Sequence, residues 1–274
     1  MNRPSTSNTR PTLSVCIITL NEEENISRCL MSVSDMADEV VVVDSLSRDR
    51  TCEIAAAAGA RVFRQPFLGY VGQKQLALEK ATGDWILSLD ADEWLDERLR
   101  ESIKGLLAGE YREGMDGYRV KRRVFYLGKW LRYYDSSEWK LRLVRRGKAS
   151  WIGCGPHNLH ERLEVAGPPV GRLKGRLNHL PYKSISDHLL RLDAYTDILA
   201  LNPAGQIRAF LGMTLEPPLT FLKKFLFQAG FLDGIRGFIF ATMDAVYVFL
   251  RFAKSWKASR ERKGEKDDVY SQNR

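Results

Sequence analysis

The stretch Trp85-Ile-Leu-Ser-Leu-Asp-Ala-Asp92 joins a short apolar run to two carboxylates that are one residue apart. The run predicts a buried strand, since Thr82-Gly83 ends the helical pattern that precedes it. Asp90 and Asp92 are therefore expected at the carboxyl end of that strand. Ligands of open α/β sheets bind in the crevice at this edge.

The segments before this strand alternate short β-branched runs with helical patterns. The strand-like runs are residues 13–20, 39–43 and 61–64. Segments with helical periodicity separate them. Such alternation is typical of βαβ units that surround a parallel sheet through right-handed crossovers. The sequence thus predicts a doubly wound α/β domain. Asp44 follows the second strand and is expected at the same sheet edge as Asp90.

The composition limits the class of protein. A chain of 274 residues with 44% hydrophobic content can bury a large core. Its four cysteines lack Cys-x-x-Cys spacing, which argues against a zinc knuckle or a disulfide framework and favours a reducing cytoplasm. No export signal is evident in the polar start. The net charge of +8 leaves nucleic acid, anionic lipid and nucleotide phosphates open as partners.

The second half has a different pattern. Residues 117–180 contain strand-like pieces rich in Trp, Tyr and Arg, and a helix that Ser186 could cap follows and ends at Asn202-Pro203. Residues 219–253 are strongly apolar but carry too many charges for a comfortable spanning helix, which favours an interfacial helical hairpin. A helical pair packed on the sheet is the alternative. The highly charged tail from residue 254 is predicted to be disordered and to face anionic headgroups.

The pair Asp90 and Asp92 could approach a hard divalent cation, Mg²⁺ or Mn²⁺, together with its bound diphosphate. The cation would neutralise the charge that develops on a departing nucleoside diphosphate. An isolated Asp-x-Asp is a weak signal, because most such tripeptides are solvated loop carboxylates. Its position at a strand end, with Asp44 at another, favours the metal site.

Three stretches resemble family 2 glycosyltransferases, and their order and spacing match as well: 14–22, 43–51 and 81–93. The chain is most similar to the lipopolysaccharide core glucosyltransferase group, through four further stretches: 69–75, 139–146, 159–162 and 231–237. The resemblance implies a GT-A fold, with a Rossmann-like, mostly parallel sheet, helices on both faces and interfacial helices at the C-terminus. We predict four regions: a disordered start 1–11, a GT-A domain 12–205, a membrane-associated region 206–253 and a disordered tail 254–274. The GT-A domain consists of a nucleotide-sugar half 12–116 and an acceptor half 117–205.

The resemblance also implies the donor site. Thr19, Asn21 and Glu22 would line the nucleoside pocket, and Asp44 would accept a hydrogen bond from the base or ribose. The alternative is that Asn21 and Asp44 cap local structure. The remaining donor-site residues are assigned as follows: Lys74 to the nucleotide or diphosphate, Asp90 to the donor and the metal, Asp92 to the metal, and His160 to the metal or diphosphate. Lys74 could instead be a solvated lysine on a surface helix.

The candidate base is Glu161, with Asp135 as the second choice. Inversion at the sugar carbon needs a group that takes the acceptor hydroxyl proton from the face opposite the leaving group. In related enzymes a downstream acid commonly has this role. The competing interpretation pairs Glu161 with Arg162 or Arg142 in an ordinary surface ion pair.

We therefore expect an inverting, metal-dependent hexosyltransferase at the cytoplasmic face of the inner membrane. Its partners would be UDP-glucose, a glycolipid acceptor of the lipopolysaccharide inner core and an anionic membrane surface, with no nucleic acid. A family 2 transferase of a capsular, O-antigen or polyprenyl-linked glycan is the close alternative. A basic nucleic-acid-binding protein is a distant one. A phosphatase with an aspartate nucleophile would carry its Asp-x-Asp after the first strand, and here the motif follows a later one.

Overall fold

The structure is a computed structural model that describes residues 10–110, 114–133, 138–154, 160–167, 169–201 and 203–272. The chain divides into two compact units. The first comprises Met1–Arg122, Glu138–Cys154 and Asn158–His179, and the second comprises Arg123–Ser137, Gly155–His157 and Leu180–Arg274. Predicted disorder at 1–11 falls mostly outside the described residues.

The first four strands pair parallel to one another. The strands are β1 (Leu13–Thr19), β2 (Glu39–Asp44), β3 (Arg61–Arg64), β4 (Trp85–Asp90), β5 (Glu93–Leu95), β6 (Gly117–Tyr126), β7 (Lys129–Trp130), β8 (Trp139–Arg145), β9 (Ala149–Cys154), β10 (His160–Val165) and β11 (Val170–His179). Within the described residues nine of them form one sheet in the order β3-β2-β1-β4-β8-β6-β11-β5, with β7 beside β6. β3, β2, β1 and β4 are parallel, whereas β8 joins β4 and β6 antiparallel. β9 and β10 form a separate antiparallel ribbon.

The N-terminal strands are buried on both faces, which explains their nearly continuous apolar sequence. Along β1, Leu13, Val15 and Ile17 enter one core layer and Cys16 enters the other. The first layer contains helices α1 (Ile26–Met31) and α4 (Glu97–Leu107), and the second contains α3 (Gly69–Lys80) and the β9–β10 ribbon. Helix α2 (Thr51–Ala57) packs beside α1 and β3. The predicted α/β fold with helices on both faces is confirmed. The prediction of a mostly parallel sheet is wrong, because β8 joins β4 and β6 antiparallel and β5 joins β11 antiparallel, which makes the sheet mixed.

Close backbone approach at Gly83 fixes the start of β4 against β1. The Gly83 amide donates to the Ser14 hydroxyl at 2.8 Å. A Cβ at Gly83 would lie 2.7 Å from the Ser14 backbone nitrogen, closer than van der Waals contact allows. Only glycine leaves room for this approach, and it sets the register in which β1 and β4 end together.

The second unit is mainly helical. Its helices are α5 (Ile185–Ala200), α6 (Gln206–Leu222) and α7 (Ile235–Gln272), with a π-helical turn at Lys223–Phe227 and a 3₁₀ turn at Gly230–Asp233 between the last two. Helices α6 and α7 approach closely because Gly212 faces the Phe252 ring, which a Cβ would meet at 2.6 Å. Tyr126, Leu131 and Phe240 form the centre of the apolar core of this unit.

Two local predictions differ from the structure. Ser184, not Ser186, caps α5, because its hydroxyl accepts from the Asp187 amide at 3.0 Å. Residues 180–205 belong to the second unit, and α7 continues past 253 to Gln272. The boundary at 205 coincides with the start of α6 but with no unit boundary, and the boundary at 253 falls inside α7. The division between the units lies at the end of β11, between His179 and Leu180.

We expect Gly83→Ala to lower stability by about 1–3 kcal/mol, because the added methyl group collides with the Ser14 backbone. This corresponds to a melting temperature lower by roughly 2–12 °C for a chain of this size. Gly205→Ala is the control, since a Cβ there meets nothing within 4 Å. Equal melting temperatures for Gly83→Ala and wild type would contradict the assigned contact.

Candidate active site

Three parallel strands end side by side at the candidate site. In the sheet register Thr19 of β1 lies opposite Asp44 of β2, and Ile18 lies opposite Asp90 of β4. The structure therefore brings Thr19, Asp44 and Asp90 to one edge of the sheet, as their positions at strand ends predict.

Asp44 is fully buried and holds the loop that follows β2. Its carboxylate accepts hydrogen bonds from the Ser47 amide, at 2.9 Å, and from the Ser47 hydroxyl. Asn21 acts on the same loop, since its side-chain oxygen accepts from the Arg48 amide at 2.9 Å and its own φ of 53° is left-handed. Asp44 and Asn21 therefore make the local contacts that the capping alternative predicts. Base recognition by Asp44 stays a prediction.

Thr19 and Glu22 complete the predicted nucleoside pocket. The Thr19 hydroxyl is buried and has no hydrogen-bond partner within the described part of the chain. Glu22 is also buried, and its carboxylate accepts from the Asn25 side-chain amide at 2.7 Å. A buried hydroxyl without a partner is costly, so Thr19 is suited to receive a hydrogen bond from a ligand.

Lys74 lies at the centre of the site. It projects from the buried face of α3, which it shares with Gln73 and Ala77, and its side chain is 3% exposed. Its ammonium lies 2.9 Å from Asp90 Oδ1 and 2.8 Å from Glu161 Oε1. The structure thus joins three sequence-predicted residues from three separate elements, and Lys74 is not the solvated surface lysine of the alternative.

Arg142 provides a second buried cation next to Lys74. Its guanidinium donates to Asp90 Oδ2 at 3.3 Å and to Glu93 Oε1 at 2.8 Å. Glu93 is fully buried, and its other oxygen accepts from the Asp90 amide at 3.1 Å. The Trp151 ring lies beneath both cations, 4.8 Å from the Lys74 ammonium and 5.9 Å from the Arg142 guanidinium. We call Lys74, Asp90, Glu93, Arg142 and Glu161 the ionic cluster.

The opposite charges in the ionic cluster keep Asp90 and Lys74 charged despite their burial. Burial alone would raise the pKa of Asp90, but the charges of Lys74 and Arg142 hold that pKa well below its usual range. Burial alone would lower the pKa of Lys74, yet Asp90 and Glu161 raise it above its ordinary value. Every buried charge therefore depends on the opposite charges around it.

Asp92 lies beside His179 instead of joining the cluster. His179 Nε2 is 3.5 Å from Asp92 Oδ2, while Asp92 Oδ1 and His179 Nδ1 are buried without a hydrogen-bond partner in the described residues. A carboxylate oxygen and an imidazole nitrogen are both metal ligands. Asp90 is less suited to a metal, because each of its oxygens already faces a cation.

These residues fit a divalent cation that a substrate helps to hold. Among the described residues no group of three or more His, Cys, Asp and Glu side chains converges on one point. Mg²⁺ is commonly bound by one or two carboxylates together with substrate phosphates, so a shell built from Asp92 and His179 would need diphosphate and water oxygens. The side chain of His160 and all of Asp135 lie outside the described residues.

Comparison with known proteins identifies the family. The family model described as glycosyl transferase family 2 matches residues 14–158, just over half of the chain. The chain belongs to glycosyl transferase family 2. This match confirms the family that the motifs around Asn21, Asp44 and Asp90 indicate.

Relatives of this family 2 transferase match it over most of its length. The lipopolysaccharide core biosynthesis glycosyltransferase LpsC of Rhizobium meliloti is 34% identical, over 89% of this chain and 92% of that protein. An uncharacterized glycosyltransferase of Rickettsia typhi is 32% identical, over 88% and 86% respectively. The solved structure of S. aureus TarS covers 92% of both chains at 16% identity with a TM-score of 0.47.

Sequence reasoning about this family 2 transferase missed the roles of Glu93 and His179. Glu93 follows the Asp-x-Asp directly, but its bond to Arg142 depends on the pairing of β8 with β4. His179 reaches Asp92 because β11 returns antiparallel to β5, with His179 opposite Glu93. A lone histidine at a strand end is weak evidence for a ligand. The one available signal in the sequence was Arg142, an arginine between two apolar residues, Leu141 and Leu143, which indicates a buried cation that needs a partner.

We expect Lys74→Met to destabilise the first unit by about 3–5 kcal/mol at neutral pH, because it leaves Asp90 and Glu161 without the cation between them. The lowered pKa of Asp90 gives stability that is present above its unfolded value of 3.8 and is lost as the pH falls below it. The difference between wild type and Lys74→Met should therefore narrow below pH 4.

Urea unfolding at neutral and acid pH measures this difference. Lys80→Met, at the exposed end of the same helix, is the matched control and should change stability little at either pH. A Lys74→Met difference that stays constant down to pH 3 would contradict the electrostatic assignment.

Proposed function

We propose that this family 2 transferase moves a hexose, in the first instance glucose, from UDP-glucose to an inner-core glycolipid acceptor, with inversion at the sugar carbon. The observation that carries the proposal is the ionic cluster at the carboxyl ends of the parallel strands, next to Asp92 and His179. It combines buried cations that can meet a diphosphate with a carboxylate that can take a proton.

The donor would lie along the strand ends. We assign its nucleoside to Thr19, Asn21, Glu22 and Asp44, where the unpartnered Thr19 hydroxyl supports the assignment. Its diphosphate would lie near Lys74, which enters the site as a point charge. A bound Mg²⁺ or Mn²⁺ would supply positive charge beside the diphosphate oxygens, and Asp92 with His179 would hold it.

Glu161 is the proposed base. The acceptor hydroxyl oxygen would bond to the sugar carbon as the bond from that carbon to the diphosphate oxygen breaks, and the hydroxyl proton would pass to Glu161. The 2.8 Å contact with Lys74 supports this role by fixing the carboxylate in one position. Burial of the cluster also limits the access of water, which would compete with the acceptor.

The acceptor class rests on the relative of known role and on the second unit. LpsC is a glycosyltransferase of lipopolysaccharide core biosynthesis by its name. An acceptor of this kind is anchored in a lipid layer, so an enzyme that acts on it benefits from a surface that binds lipid.

The second unit has a continuous exposed apolar stripe, which supports membrane association. The stripe consists of Ile207, Phe210, Leu211, Leu215, Leu219 and Leu222 on α6 and Leu226, Phe227, Phe231, Leu232, Ile235 and Phe238 after it. The α6 positions recur every three or four residues and therefore lie on one helix face. Exposed Arg208 and Lys223 flank it and suit anionic headgroups. Within the described residues, every helix is too short or too polar to cross a bilayer.

The donor site is tested by the melting temperature with UDP, GDP or CDP, each with and without Mn²⁺. A ligand at about 100 times its Kd adds about 2.7 kcal/mol, so UDP with Mn²⁺ should raise the melting temperature by roughly 5–10 °C. Asp92→Asn should remove the part of the shift that needs Mn²⁺. The same shift for all three nucleotides, or none, would refute the assigned donor.

Glu161→Gln tests the base, with the same melting measurement and an assay of sugar transfer. It should keep the UDP shift while transfer of labelled glucose to core-truncated lipopolysaccharide falls by about 10²-fold or more. Glu164→Gln, on the same strand and exposed, is the matched control and should transfer normally. Loss of the UDP shift in Glu161→Gln would instead place Glu161 in donor binding.

The membrane surface is tested by sedimentation with vesicles that contain phosphatidylglycerol. Phe227→Glu should weaken binding roughly tenfold, because a largely exposed phenyl ring of the stripe is replaced by a charge. Met31→Glu is the control: it adds the same charge at an equally exposed apolar side chain of the first unit. Equal loss in both variants would mean that only net charge matters.

A further inference from the structure

The first unit contains a second polar site that shares no residue with the ionic cluster. It is an open groove of about 380 Å³ between the start of α4 and strands β6, β8 and β11. Five cations line it: Arg98, Lys121, Arg172, Lys174 and Arg176. We call it the basic groove. Lys121 and Arg122 are consecutive on β6 and project to opposite faces, and Arg122 is the one directed to Glu93, at 3.8 Å.

The positive charge of the basic groove is balanced only in part inside the described part of the chain. Arg98, Lys121 and Lys174 have no carboxylate partner there, and Arg172 contacts the Trp139 ring at 4.9 Å. The one acidic residue in the lining, Asp96, is committed to the backbone. Its Oδ1 accepts from the amides of Leu99 and Arg176, at 2.9 and 3.0 Å.

Arg98 lies in the first turn of α4, next to the capping carboxylate of Asp96 and to Glu97, the acidic residue of the same turn. Gly175, with φ of 98°, lets β11 come so close to this helix end that any Cβ would collide with the Leu99 backbone.

The shape and the aromatic wall indicate a saccharide. A volume of about 380 Å³ lies at the lower end of ligand pockets and suits one or two sugar rings. Trp139 is a half-buried aromatic residue of the lining, a type of side chain that can pack against the C–H groups of a sugar ring. Single-stranded nucleic acid prefers a row of stacking aromatics, and Trp139 is the sole aromatic residue of this lining within the described residues.

We infer that the basic groove binds a saccharide that carries at least two negative charges, as phosphate or carboxylate groups. The cations pair with the charged groups, and Trp139 packs against a ring between them. This goes beyond the proposed function, because no residue of the donor site, the base or the metal pair takes part. In a transfer to a glycolipid, the groove holds a charged part of the acceptor that does not react.

The inference is tested by calorimetric titration of the full chain with a heparin-derived hexasaccharide. Maltohexaose is the neutral probe, and pyrophosphate and a short single-stranded DNA are the other anions. The groove variant is Arg98→Gln, Lys121→Gln and Lys174→Gln together. The charge-matched control is Lys80→Gln, Lys129→Gln and Lys148→Gln together, at three exposed lysines outside the groove.

Wild type should bind the hexasaccharide with an affinity that falls with salt and should not bind maltohexaose. The groove variant should bind it roughly tenfold or more weakly, and the control should match wild type. Trp139→Leu should weaken hexasaccharide binding without changing any pyrophosphate binding.

Three results would overturn the inference. These are no hexasaccharide binding by wild type, equal loss in the groove and control variants, and groove-dependent binding of DNA or pyrophosphate as tight as that of the hexasaccharide. The melting shift with UDP is measured in each variant and should equal that of wild type, which shows that the fold is retained. A missing UDP shift in wild type would refute the proposed donor and leave the groove result intact.

Discussion

The first unit depends on the ion pairs of one buried lysine. An ammonium group is expensive to bury, and Lys74 is stable inside the protein because Asp90 and Glu161 lie within 3 Å of it. Those partners come from β4 and β10, so the same contacts join α3 to the sheet on one side and to the β9–β10 ribbon on the other. Arg142 adds the link to β8. The ion pairs of Lys74 therefore also hold α3, the sheet and the ribbon together. The Trp151 ring packs against both cations.

The sequence predicted the parallel part of the fold because buried parallel strands have a strong local signal. The runs in β1, β2 and β4 are apolar along both faces, and their carboxyl ends necessarily meet at one edge. This was enough to place Thr19, Asp44 and Asp90 together. The strand pattern did not place Lys74 in the site. Lys74 and Gln73 are polar residues on the buried face of α3, and they weaken the amphipathic pattern of this helix. Contacts between distant strands, such as His179 with Asp92, leave no mark in the local sequence.

The C-terminal helices show why an apolar sequence alone could not separate two interpretations. Helix α6 is apolar on two faces. Ala209 and Gly212 are buried, and Gly212 packs against Phe252 of α7, as a helical pair in a protein core requires. Ile207 and Phe210, on the other face, are exposed, as an interfacial helix requires. Only the tertiary structure assigns each residue to one face.

The distance in sequence between Lys74 and Glu161 has a consequence during synthesis. Ribosomes add about 5–20 residues each second and domains fold as their chain emerges. Lys74 and Asp90 emerge first, and the segment that matches the family model ends at residue 158, before Glu161. A nascent chain of that length contains strands β1 to β4 but lacks Glu161. Lys74 then has Asp90 but one carboxylate partner fewer than in the finished unit. The ionic cluster can thus be completed only after Glu161, residue 161 of 274, has been added, when most of the first unit has been synthesised.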